Sequence, residues 1–261
     1  MAIRTARRLM RSGWLGAAAT AALFVAIASP AGAHQVWIEV GPTHAKFCFG
    51  EFGDNLKEVS PGYLDKLTRP EATLLGKEGK KVVKLSKQTD GYALDGKLAL
   101  GQSLVIVDSA YPISERKEGD KTVRSAWTPA ARYSTDLKAE APLLTLDVLP
   151  TIKAGEFKVV FKGQPLGKAS VSITLESGWS REGTTDSEGK VTFPLPWKAA
   201  YAVLVRHQDP TAGSRRGLAG EERFDVASFG TTLSFATQAG LPAPPPAPPT
   251  PPNKPEPPNK P

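Results

Sequence analysis

The chain has 261 residues, with 33 Lys and Arg against 26 Asp and Glu, 24 glycines, 24 prolines and a single cysteine. Four arginines fall within the first eleven residues and half of the prolines lie between Pro242 and Pro261, so both ends are set aside before the composition describes a folded body. Without residues 1–33 the chain carries 29 basic and 26 acidic side chains, a surplus that makes no case for nucleic acid or an anionic membrane surface.

Residues 1–33 read as a signal peptide: Arg4, Arg7, Arg8 and Arg11, an apolar stretch from Trp14 to Ala28, then Ser29-Pro30 and the small triplet Ala31-Gly32-Ala33. The apolar core is short for a span of about 30 Å of hydrocarbon, so cleavage after Ala33 is expected, with His34 first in a mature periplasmic or secreted protein. Cys48 is alone and excludes an intrachain disulfide, although export implies an oxidising compartment.

The remaining body alternates apolar and polar residues in short runs punctuated by Gly, Pro and Asp, with no long 3.6-residue stripe, which predicts an all-β fold. In residues 34–150, strands are expected at 34–40, 45–49, 81–85, 92–94, 97–100, 103–107 and 143–149. Asp95-Gly96 has the residues of a two-residue hairpin turn. The stretches 51–69 and 132–138 could hold a helical turn, and 110–132 reads as a charged, irregular loop. Pairing the first two strands so that residue numbers sum to 83 sets Val36 opposite Phe47, Trp37 beside Lys46, and Glu39 beside His44.

Residues 151–238 predict a second unit, a small antiparallel sandwich, with strands at 156–161, 169–175, 190–193, 201–207, 222–225 and 231–235. From residue 239 the chain is a proline-rich tail without core residues, expected to be disordered; as a polyproline helix it would reach on the order of 60 Å.

Familiar catalytic patterns are absent from the sequence: there is no Cys-x-x-Cys, no Gly-x-Ser-x-Gly, no phosphate loop and no His-Glu-x-x-His. No catalytic residue is nominated and the protein is expected not to be an enzyme. His34 is the exception that points to chemistry. As the first mature residue it would present an α-amine and an imidazole, which chelate one ion through a small ring and suit Cu(II) or Ni(II). His207, at the end of a predicted strand, is the remaining candidate for a second imidazole. His44 is expected in a surface pair with Glu39. Glu51, Asp54, Asp186 and Glu188 sit in turn-forming sequence, and Trp127, Trp179 and Trp197 are first taken as core.

His34-Gln35-Val36-Trp37-Ile38-Glu39 and Phe49-Gly50-Glu51-Phe52-Gly53-Asp54 resemble the opening of an uncharacterised family of exported bacterial proteins, a domain of unknown function. Phe161-Lys162-Gly163-Gln164-Pro165-Leu166, Thr185 to Phe193, Leu204-Val205-Arg206-His207 and Thr231 to Phe235 resemble the prealbumin-like, or collagen-adhesin-B-type, sandwich that ends those proteins. The resemblance implies an N-terminal antiparallel β domain followed by an Ig-like or prealbumin-like sandwich. It also implies a link to periplasmic nickel or cobalt uptake, with His34 and His207 at positions where the family carries His. The expected function is therefore a periplasmic accessory protein binding nickel, cobalt or copper through His34 and delivering it to a membrane transporter. The alternatives are a non-catalytic cell-envelope interaction module and a copper-dependent oxidative enzyme. No membrane span is expected in the mature chain, and no nucleic-acid partner.

Overall fold

The computed structural model describes residues 34–254, and three sheets hold most of their strands. The signal-peptide segment lies outside the described residues. Among the described residues the sole helical element is a 3-10 turn, Tyr63–Lys66, and no helix is long and apolar enough to cross a membrane.

A nine-stranded sheet forms the middle layer. Its order is Ser180–Thr184, Ser170–Leu175, Ala200–Asp209, Val226–Ala236, Lys121–Ser134, Ser103–Asp108, Pro70–Gly76 and Gly79–Val83, with Ser114–Glu118 extending Lys121–Ser134 as a ribbon. Its neighbours are antiparallel except at one seam, where residues 125–133 run parallel to residues 226–234. A five-stranded sheet holds Gln35–Val40, His44–Glu51, Gly91–Asp95 and Leu85–Gln88, with Leu56–Lys57 against the second strand; a four-stranded sheet holds Leu146–Pro150, Glu156–Phe161, Gln164–Pro165 and Lys190–Thr192.

The two smaller sheets cover opposite faces of the large one. Successive strand residues point to opposite faces. Tyr201, Val203, Val205, Leu233 and Phe235 therefore pack with Val148, Phe157 and Val159 of the four-stranded sheet. The intervening Ala202 packs with Trp37, Cys48 and Phe52, and the Ser234 hydroxyl accepts from Ile38 N at 3.4 Å. One core thus draws on residues 36–131 and the other on residues 146–235, and both lean on the same sheet. Near the parallel seam, the fully buried Arg132 makes a bidentate pair with Asp147 (3.1 and 2.6 Å) and a third bond to Glu140 at 2.6 Å. Asp147 also accepts from Leu143 N and Leu144 N, so the buried charges are paired.

The first hairpin pairs Val36 with Phe49, Ile38 with Phe47 and Trp37 with Cys48, a sum of 85 rather than 83. A shift of two keeps every side chain on its expected face while changing its partner. Glu39 therefore lies beside Lys46, and its carboxylate takes Lys57 Nζ at 2.7 Å and Trp37 Nε1 at 2.9 Å, while His44 bonds Thr43 at 2.9 Å. Asp95-Gly96 does not turn a hairpin: Gly91–Asp95 pairs with Leu85–Gln88 across Thr89-Asp90, and residues 97–100 form no strand. Gly91 is required there, since a Cβ would come within 2.6 Å of Phe47 O. Residues 110–132, expected as a loop, hold Ser114–Glu118 and most of Lys121–Ser134. The outer part is exposed on both faces and the inner part is buried on both, so neither shows the alternation that betrays a half-buried strand.

Candidate functional site

His34 immediately precedes Gln35–Val40, and that edge strand delivers its side chain to the end of the five-stranded sheet. The ring lies against Phe49, 5.1 Å between centroids, and near Tyr63 at 6.1 Å. Its Nε2 is 2.6 Å from Glu58 Oε1. With Glu58 ionised this bond requires the proton on Nε2, and a neutral ring then carries its lone pair on Nδ1. Nδ1 makes no hydrogen bond among the described residues; the nearest carboxylate oxygen is Glu51 Oε1, 3.6 Å away.

Both acids are placed by local structure. Glu51 ends the strand His44–Glu51 where the chain turns, with Asp54 N donating to Glu51 O at 3.2 Å. Burial and a hydrogen bond with Asp54 raise the Glu51 carboxyl above the usual range, and His34 opposes the shift. Glu58 follows the short strand Leu56–Lys57, and its N donates to Phe49 O at 2.8 Å. It is fully buried, and its Oε2 has no hydrogen-bond partner among the described residues. A buried carboxylate oxygen without a partner is costly and rare in a purely structural pair.

Two further groups close the site. Arg206, on Ala200–Asp209, donates from Nη2 to His34 O at 3.0 Å. Asn253 Nδ2 donates to Glu58 Oε1 at 2.7 Å and lies 3.3 Å from His34 Nε2.

The structure does not bring His207 to this site. Arg206 and His207 are successive residues of one strand, so they face opposite sides of the large sheet. Arg206 reaches His34, whereas the His207 ring packs on Phe161 at 4.4 Å, toward the four-stranded sheet. Beside it, Lys162 Nζ pairs with Asp209 at 2.7 Å. The sheet stands between the two histidines.

Sequence reasoning gave Glu51 to a turn and did not single out Glu58 at all. The signal for Glu58 was present, since it alternates with Leu56 and shares its buried face. Asp54, Asp186 and Glu188 serve turns, as expected: Asp186 Oδ1 accepts from Glu188 N and Lys190 N at 2.8 and 2.9 Å. Trp127 meets Tyr111 edge-on at 4.6 Å and Trp179 meets Trp197 in the same way, each pair at the margin of a core. Burial holds the Cys48 thiol well above its ordinary range, so it is an inert packing group.

Among the described residues no group of three or more His, Cys, Asp or Glu side chains is arranged to hold a metal ion. At His34 the side chains offer two donors facing one another, Nδ1 and Glu51. No family model matches the chain, and no curated protein matches it.

Proposed function

We propose that the protein, freed of residues 1–33 in the periplasm, is an accessory protein of transition-metal uptake. It binds nickel, cobalt or copper at its new N-terminus and passes the ion to a membrane partner. The observation that carries this reading is the orientation of one ring: Glu58 takes Nε2 and leaves Nδ1 beside Glu51.

Nδ1 is the ring nitrogen that can close a small chelate with the α-amine of its own residue. Cleavage after Ala33 would create that amine, whose ordinary pKa of roughly 7.7 to 8.0 lets an ion displace its proton near neutrality. The donor set is then the α-amine, Nδ1 and Glu51, the carboxylate standing where sequence alone nominated His207. A carboxylate on the far ring nitrogen is the usual device for fixing the tautomer and direction of a ligating His. The likeness of residues 34–39 to the exported metal-uptake family points the same way. The bound ion is cargo, and no catalytic residue is assigned.

The test is titration of the processed protein with Cu(II) and Ni(II), beside a version with one extra residue ahead of His34. One-to-one binding that is lost in the extended version is expected. Equal, weak binding in both overturns the reading and leaves a non-catalytic interaction module of the cell envelope.

A further inference from the structure

The proline-rich segment is docked along the body, and the way it is docked leads to the His34 site. Proline has no N–H, so a polyproline strand can be held only through its carbonyls and through the residues that interrupt it. The interruptions do this work. Leu241 N donates to Pro196 O at 2.8 Å, and Leu241–Pro242 pairs with Trp197–Lys198. Ala247 N donates to Glu176 O at 2.8 Å and its carbonyl accepts from Asn55 Nδ2 at 2.9 Å. Thr250 N donates to Asn55 O at 3.2 Å and its hydroxyl to Asp54 O at 2.7 Å. Asn253 then reaches Glu58.

Ala247, Thr250 and Asn253 recur every third residue, each separated by Pro-Pro. A polyproline II helix has three residues per turn, so this period places all three on one edge. That edge meets the segment 54–58, which connects Glu51 to Glu58.

We propose that residues 241–254 form a strap that belongs to the metal site, and that Asn253 is a positioning residue for it. The inference rests on the reading of His34 as the metal-binding residue. The Asn253 amide and His34 Nε2–H converge on one oxygen of Glu58, so the strap braces the carboxylate that aims the ring. Asn253 approaches from the Nε2 side, whereas Glu51 stands at Nδ1. The docked strap therefore favours the binding-ready ring, and by linkage a bound ion favours the docked strap by the same factor. Asn55, Thr250 and Asn253 form the mechanical connection.

Two variants of the processed, full-length protein test this. Asn253→Ala is expected to weaken Cu(II) or Ni(II) binding by about ten-fold, the size of effect outer-shell partners have, with the melting temperature little changed. Hydrogen exchange at the Ala247 and Thr250 amides is expected to slow several-fold on saturation with the ion. Without any ion, Glu58→Leu and Asn253→Ala should each speed exchange at Thr250. If the wild-type protein binds no ion but both variants still speed that exchange, the docking of the segment on Glu58 stands, while the metal reading and the strap's part in it are overturned. If Asn253→Ala binds the ion as tightly as wild type and exchanges Thr250 no faster, the strap inference is overturned while the metal reading survives.

Discussion

His34 immediately precedes a strand and His207 lies two residues before the end of one, and their surroundings could hardly differ more. Around His34 are two carboxylates, a guanidinium and an amide, one buried oxygen of which has no partner. Around His207 are Phe161 and the cross-strand Phe229, with a satisfied ion pair on the rim. The two cores behind them differ in the same sense. The C-terminal one is closed by Tyr201 stacked on Phe235 at 5.4 Å and by Phe157, whereas the N-terminal one meets the buried Glu58 carboxylate through the His34 ring on Phe49. Position in the chain and likeness to a family nominated both histidines, and polar groups converge on His34 alone.

The sharpest way to separate the regions is to damage one and read the other. Phe157 is buried against Phe235 and Phe193, so Phe157→Ala is expected to cost about 3–5 kcal/mol in urea unfolding. Ion affinity of the folded fraction should be unchanged. Next in size, Glu51→Gln is expected to lower Cu(II) affinity by ten-fold or more, as loss of a direct donor should cost at least what an outer-shell partner does. His207→Ala should change it by less than about two-fold under this assignment; isothermal titration of both variants compares them directly. A large loss at His207 would erase the distinction drawn above.

The smallest effect tests the rim of the N-terminal region. Asp65, in the 3-10 turn that carries Tyr63, is held down to about 2 by Lys87 first and then by Ser60 and Gly62 N. A depressed carboxyl contributes stability above its ordinary pKa and loses it as pH falls through the window from about 4 to about 2. Because both partners are solvent-exposed the contribution is under about 1 kcal/mol. In Lys87→Gln the carboxyl titration followed by NMR should move up toward the usual range, and the acid dependence of the melting temperature should flatten in that window.

Part of the architecture is legible in the sequence. The apolar period of Glu156–Phe161 and the β-branched and aromatic runs of Gln35–Val40 and Ala200–Asp209 identify strands, the last two although both of their faces are buried. Lys121–Ser134 escaped because a strand buried on both faces at one end and on neither at the other has no alternation to read. The first hairpin kept its faces and changed its partners, since periodicity specifies which side a residue takes but a register shift of two leaves that unchanged. Glu58 could have been found from its alternation with Leu56, and the strap from the three-residue period of Ala247, Thr250 and Asn253.

The sequence by itself determined the all-β class, the faces of the first hairpin and the choice of His34 as the residue to watch. These depend on local periodicity and on side-chain chemistry, which neighbouring residues carry. Only the tertiary structure decided that a parallel seam joins residues 125–133 to 226–234 and that Arg206 rather than His207 faces His34. It also decided that residues as distant as 58 and 253 meet on one ring. Such meetings depend on which sheet face covers which core, and no local pattern records the burial of one segment against another far away in the chain.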